Sequence, residues 1–322
     1  MTIESFAQQL NTWGAERTPF LFIVDFEMRK PLAFRLDEVD PAYVLFKFNH
    51  FSNVDQSSNK TTIKLVKHPV SVAEYNRRFD KVYSHLLYGD TFLTNLTVKT
   101  PIELSASLRE IFFASEARYK LLFKNEFLVF SPETFIRIAD GKIFSFPMKG
   151  TIDARIPNAK SILLSDKKEE AEHITIVDLI RNDLSQVATN ITVSRFRYVE
   201  ELKTNQKNLL QVSSEISGQL YDDYHSQLGE ILVALLPAGS VSGAPKPKTL
   251  EVIREAEGED RGYYTGVFGY YDGEKLDSAV MIRYIEKSGG QLFYRSGGGI
   301  TAQSNAMQEY KEVIDKIYVP VN

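Results

Sequence analysis

Residues 264–296 read YTGVFGYYDGEKLDSAVMIRYIEKSGGQLFYRS. Aromatic and β-branched residues fill the runs, and the pairs Asp272-Gly273 and Gly289-Gly290 divide them. Such pairs accept the positive φ angles of a tight hairpin turn. The stretch therefore predicts a three-strand antiparallel meander. The same composition recurs upstream. FLFIVDF (20–26), PLAFRL (31–36), AYVLFKFNHF (42–51), TTIKLVK (61–67) and DTFLTNLTVKT (90–100) read as strands, with a polar, turn-like segment over 53–60. RYKLLFK, EFLVFS and TFIRIADGKIFSF follow, the last turning at Asp140-Gly141. Strand patterns return over 191–197 and 208–220.

Helices fall in blocks between these strands. Ser71-Val72-Ala73-Glu74 reads as a capping box. Tyr75, Phe79, Val82, Tyr83 and Leu86 follow at helical spacing, and Gly89 closes the helix. Further helices are expected over 105–115, 167–188, 226–236, 246–257 and 304–318. Strands predominate in antiparallel runs, without βαβ alternation, so the fold class is α+β. With no internal repeat and no low-complexity linker, one large domain is expected.

Composition narrows the function. The chain has 322 residues, 38 Lys plus Arg against 42 Asp plus Glu, a net charge of −4 and no cysteine. That balance does not suit a coat for nucleic acid or an anionic membrane. The missing cysteines remove disulfides, thiolate zinc sites and thiol nucleophiles. Five histidines (His50, His68, His85, His173, His225) lie far apart and form no metal-ligand pair. No GxGxxG or GxxxxGK[ST] phosphate cradle is present. The N-terminus lacks a basic start followed by an apolar run, and every apolar stretch is far below the ~20 residues of a membrane span. A cytoplasmic protein is expected.

Several constellations carry chemistry. Glu309, Glu312 and Lys316 share one face of the last helix; alone they also read as a solvated face with a Glu312–Lys316 ion pair. Just before them, Gly297, Gly298 and Gly299 permit close approach of backbone to a ligand, or else form a flexible turn. The helix KKEEAEHITIVDLIRNDLSQVA has a buried stripe of Ile174, Val177, Ile180, Leu184 and Val187. Glu172 borders that stripe, while Glu169 and Glu170 suit water. Two carboxylates from two helices suit Mg²⁺, which keeps several other ligands. Asp178, Arg181, Asn182 and Asp183 read as a structural polar network. Lys149, after a predicted strand, reads either as a surface lysine or as an amine whose pKa a dry setting lowers. Glu133 lies upstream, on the far side of a hairpin that can bring it near Lys149 as an acid. In PAGSVSGAPK, Lys246, and Lys248 just beyond it, make a weak candidate anion contact.

SPETF, FPMKGT, AEHITIVDLIRNDL, PAGSVSGAPK, GVFGYYDG, LDSAVMIR, SGGGI and QEYKEVIDK occur in that order across about residues 85–318. Together they resemble the chorismate-utilising enzymes, which include anthranilate, aminodeoxychorismate, isochorismate and salicylate synthases. The resemblance implies a fold of two largely antiparallel sheets packed as a sandwich with helices outside. Residues 1–84 would form a shortened N-terminal part of that sandwich, without a tryptophan effector site, and 85–322 the chorismate-binding catalytic region.

It also implies roles. Glu172 and Glu312 would ligate Mg²⁺, with Glu309 supporting through water. Arg283 and the Gly297–Gly299 backbone would bind the enolpyruvyl carboxylate. Gly150, Thr151, Tyr264 and Lys316 would also hold substrate. Arg283 alone reads equally as a cross-strand ion-pair residue, and Tyr264 as a packed aromatic. Where anthranilate synthases carry alanine, this chain has Lys149. The resemblance thus points to the aminodeoxychorismate branch. There Lys149 adds to C2 of chorismate, Glu133 assists departure of the C4 hydroxyl, and ammonia attacks C4, toward 4-aminobenzoate and folate. Ammonia would come from a separate glutamine amidotransferase subunit. Leu93 stands where isochorismate synthases place a water-activating lysine, and Gln211 where many relatives have a histidine. Anthranilate or 2-amino-2-deoxyisochorismate synthesis, and a non-catalytic binding role, are the alternatives.

Overall fold

The computed structural model describes residues 1–55, 63–202 and 208–321. Part of the turn-like 53–60 segment and the start of the 61–67 strand lie outside them. The described residues form two antiparallel sheets packed face to face with helices on the outside, an α+β sandwich. The reason is visible in strand Phe20–Val24, buried at all five positions. Side chains alternate between faces of a strand. Phe20, Phe22 and Val24 enter the layer beneath the helices, while Leu21 and Ile23 enter the layer between the sheets.

The first sheet runs Met148–Asp153, Leu209–Gln219, Lys142–Ser145, Thr134–Ala139, Leu276–Val280, Val267–Tyr271, Phe20–Val24, Leu32–Arg35, with Thr189–Leu202 on the other side of Leu209–Gln219. The second runs Gly243–Ala244, Leu93–Leu104, Gln291–Ile300, Tyr284–Ser288, Phe127–Ser131, Tyr119–Phe123, Val44–Phe48, Phe51–Ser52, with Leu65–Lys67 also on Leu93–Leu104. Helices Ile3–Ala15, Lys167–Leu184 and Leu228–Ala234 cover the first sheet. Val72–Tyr88, Lys246–Glu257 and Ala306–Asp315 cover one part of the second, and Leu108–Ala114 another. Among the described residues no helix is long and apolar enough to cross a membrane.

The expected three-strand meander is instead four strands in two hairpins, one in each sheet. The long middle run breaks at residues 281–283. There Arg283 takes a left-handed backbone, φ 54°, and carries the chain from one sheet to the other. Turn chemistry holds elsewhere: Asp140 and Gly141 both have positive φ, and Gly89 caps its helix at φ 92°. Only half of the Ser71 capping box forms. Ser71 accepts from the Glu74 N–H, but the Glu74 carboxylate turns to Arg78 at 2.9 Å. The glycine triplet is neither turn nor break. Gly297, Gly298 and Gly299 pair in register with Thr97, Leu96 and Asn95.

Candidate active site

One cleft, about 930 Å³ including its open mouth, gathers most of the residues singled out above. Strand Met148–Asp153 brings Lys149, the Lys167–Leu184 helix brings Glu172, and the end of Gln291–Ile300 brings the glycine triplet. The last helix and its C-cap bring Glu312 and Lys316. Glu133 and Tyr264, just before Thr134–Ala139 and Val267–Tyr271, and Arg283, just after Leu276–Val280, complete the lining.

Lys149 follows the Lys142–Ser145 strand, as read, but lies in a further strand, Met148–Asp153, at a bulge where Gly150 has φ 82°. Its Nζ is 2.6 Å from Glu172 Oε2. Burial pulls the Lys149 pKa down, but the Glu172, Glu169 and Glu312 carboxylates outweigh it and the net direction is up. The expected lowering is therefore corrected: in this arrangement Lys149 is an ammonium, because it faces carboxylates. Glu169, expected to face water, has its Oε2 buried without a hydrogen-bond partner, near Gly150. Ile174, expected in the buried stripe, is about half exposed, and the stripe begins at Val177.

Glu133 accepts a 2.6 Å hydrogen bond from Ser240 Oγ. Burial raises its pKa, and Ser240, Arg283 and Lys316 only partly offset this. A carboxyl held toward its protonated form is what a general acid requires. Tyr264 is buried, and desolvation pushes its hydroxyl up to about 12, so it stays a neutral hydrogen-bonding group. Lys316 bridges two parts of the cleft, 2.7 Å from Glu312 Oε1 and donating to the Gly297 carbonyl at 2.8 Å.

Glu309 is buried beside the cleft rather than in its lining. A Cβ placed on Gly298 would stand 3.6 Å from Glu309 Oε2, 3.7 Å from Glu312 Oε1 and 3.8 Å from Lys316 Nζ. The missing side chain thus leaves a cradle beside two carboxylates. Among the described residues no three acidic or histidine groups are close enough to form a metal centre on their own. The donor set still fits Mg²⁺. Its oxygens come from two helices, and Mg²⁺ normally fills the rest of its shell with water and substrate oxygens.

Other expectations are revised. Thr151 is exposed and lines only the outer mouth; Gly150 lines neither cleft nor mouth, and its positive φ shapes the bulge next to Lys149. Lys246 is tied to Asp183 at 3.1 Å and Lys248 to Glu251 at 2.9 Å, so the lysines of that motif serve structure. Its small residues do reach the cleft, through Ser240, Val241, Ser242 and Gly243. Asp178 pairs with Arg181 as a local network predicts. Gln211 sits opposite Thr151, away from the inner cleft, whereas Leu93 lines it and offers no base. Asn95 and Ser240 escaped sequence reasoning, since nothing near them in the chain marks a polar residue as inward-facing.

The chain matches the family model for chorismate binding enzymes over residues 11–322. It is 46% identical over 320 residues to an uncharacterized PabA-like protein of Haemophilus influenzae, covering 99% of this chain and 98% of that protein. It is 32% identical over 259 residues to aminodeoxychorismate synthase component 1 of Salmonella typhimurium, covering 76% of this chain but 56% of that one. The chain thus spans about half the length of that synthase. Its fold resembles anthranilate synthase component I from Streptococcus pneumoniae, with a TM-score of 0.68 and 26% identity, over 81% of this chain and 60% of that one.

Proposed function

The chain belongs to the chorismate-binding enzymes, and from that premise we propose that it aminates chorismate at C4 to give 4-amino-4-deoxychorismate. The observation that carries this reading is Lys149, 2.6 Å from Glu172 in a cleft that Glu133 also lines. An amine and a proton-donating carboxyl on one cleft are the two groups a double displacement needs.

Lys149 attacks as the free amine, its ammonium proton having passed to solvent. Its nitrogen bonds to C2, the ring's conjugated double bonds shift, and the C4 hydroxyl leaves as water with a proton from Glu133. Ammonia then bonds to C4, the double bonds shift back, and the Lys149 amine departs from C2. Passing through this adduct directs nitrogen to C4; direct attack by ammonia would place it at C2. Arg283 and the glycine backbone hold the enolpyruvyl carboxylate, and Tyr264 packs beside them. Glu172 and Glu312, backed by Glu309, would hold Mg²⁺, which would supply positive charge to the ring carboxylate. Since the chain has no cysteine, the ammonia is assigned to a separate glutamine amidotransferase subunit.

The test is incubation with chorismate, Mg²⁺ and ammonium, with mass detection of products, with and without a lyase that releases 4-aminobenzoate. The expected result is an aminated product that the lyase converts to 4-aminobenzoate. An aminated product that the lyase leaves untouched, or no metal-dependent chorismate binding at all, overturns the reading.

A further inference from the structure

Arg283 stands at the point where the chain leaves one sheet for the other, and two devices fix it. Its backbone is left-handed, with its carbonyl accepting from the Phe130 N–H at 3.1 Å. Its Nε donates to the Tyr318 hydroxyl at 3.2 Å, and its guanidinium carbon lies 5.4 Å from the Tyr318 ring centre. Tyr318 is itself anchored. Its carbonyl accepts from the buried Tyr294 hydroxyl at 3.0 Å, and two residues on, Pro320 accepts from the Glu116 N–H at 2.8 Å. Arg283 lines both the inner cleft and its outer mouth, whereas Tyr318 lines the mouth alone.

We propose that Tyr318 is a positioning residue for Arg283: by occupying Nε it holds the guanidinium with its two terminal nitrogens presented to a carboxylate of the bound substrate. A guanidinium offers five N–H groups in a planar fork, and bidentate grip on a carboxylate depends on that plane being fixed. An arginine side chain carries much rotamer freedom, and ordering it at the moment of binding weakens affinity. Tyr318 sits at the rim, so its hydroxyl orders Arg283 without taking up room in the cleft. The tyrosine acts on a carboxylate remote from the reacting C4. Its effect is therefore equal in ground and transition states, and it belongs in KM rather than kcat.

This inference rests on the chorismate reading, and the experiment separates the two. Calorimetry measures chorismate binding to wild type and to Tyr318→Phe, which keeps the ring and removes the hydroxyl. A second ligand, the ring diol carboxylate lacking the enolpyruvyl group, is measured alongside. Expected is about 3- to 10-fold weaker chorismate binding in the variant, the cost of ordering one arginine side chain at the moment of binding. KM rises by a matching factor, while kcat, melting temperature and affinity for the second ligand stay unchanged. Wild-type chorismate affinity in the variant, or equal weakening toward both ligands, overturns the positioning role. A wild type that binds no chorismate sinks the reading of the cleft and this inference with it.

Discussion

Lys149 Nζ and Glu172 Oε2 stand 2.6 Å apart, joining a strand lysine of the cleft lining to a carboxylate that is itself buried. Each side chain is what the other requires. Burial works against the Lys149 ammonium, and the facing carboxylates more than offset that cost. The pair also links two proposed tasks, covalent attack and metal binding, so a change at Lys149 is felt in both.

Lys149→Ala tests both tasks. C4 amination should fall by at least about 10³-fold, as for other residues that act as part of a catalytic unit. In the absence of substrate, Mg²⁺ should bind about tenfold or more tightly, since a unit positive charge near 4 Å has been removed from a shielded site. Calorimetric titration with Mg²⁺ and product analysis by mass read the two effects separately. Unchanged C4-aminated product would rule out the nucleophile, and unchanged Mg²⁺ affinity would place the cation away from Glu172.

Glu133 should trade stability against activity. Its folded pKa is raised, chiefly by burial, against lowering from Ser240, Arg283 and Lys316. The native state therefore binds more protons than the unfolded state between the ordinary and the raised pKa, and stability falls as pH rises through that window. Glu133→Gln removes the half-buried charge and keeps an acceptor for Ser240. The variant should melt higher than wild type at pH 8, with the gap closing as pH falls toward about 4. Its kcat should drop by about 10²- to 10⁴-fold, the usual worth of a general acid. A variant that melts lower at pH 8 than at pH 4, relative to wild type, contradicts the sign of the shift.

Neighbouring glycines should separate folding from binding. A Cβ on Gly297 meets the Leu96 carbonyl oxygen at 2.6 Å, so the paired strand must move. Gly297→Ala should lose about 1–3 kcal/mol of stability, the range for overpacking. A Cβ on Gly298 makes only ordinary contacts, all with the tips of Glu309, Glu312 and Lys316. Gly298→Ala should melt like wild type yet bind Mg²⁺ and chorismate more weakly. Chemical denaturation and calorimetry on the pair check this; a Gly298 variant with normal ligand affinity would remove the cradle from the site.

What the sequence made legible follows from range. Asp140-Gly141, Gly89 and the strand-forming run that starts at Phe20 depend on a few adjacent residues, and they appear as read. The carboxylates and Lys149 became legible through ordered motifs, but their charge state did not. Whether a lysine is amine or ammonium depends on Glu172 and Glu312, which arrive from other elements. The break at Arg283 is similarly hidden: LDSAVMIRYIEKS is uniformly strand-like, and the crossover is imposed by two sheets needing to pack. Ser240 and Asn95 are ordinary polar residues until tertiary structure turns them into the cleft.

Arg261 explains how those polar segments are held. It is almost wholly buried and pairs twice with Glu257, at 2.9 and 2.6 Å. Its remaining donors reach the carbonyls of Asn95 at 2.6 Å and Val241 at 2.8 Å, both in the cleft lining. Glu257 in turn accepts from the Thr97 N–H at 2.8 Å. Arg261→Met should cost about 3–5 kcal/mol, because it leaves a buried carboxylate without its counter-charge. Adding Glu257→Gln should restore part of that stability by removing the stranded charge. Activity should not return with it, since the Asn95 and Val241 carbonyls still lack the donor that fixes two walls of the cleft. Denaturation curves and kcat/KM for both variants test the distinction. A double variant with wild-type kcat/KM would show that Arg261 serves the core alone.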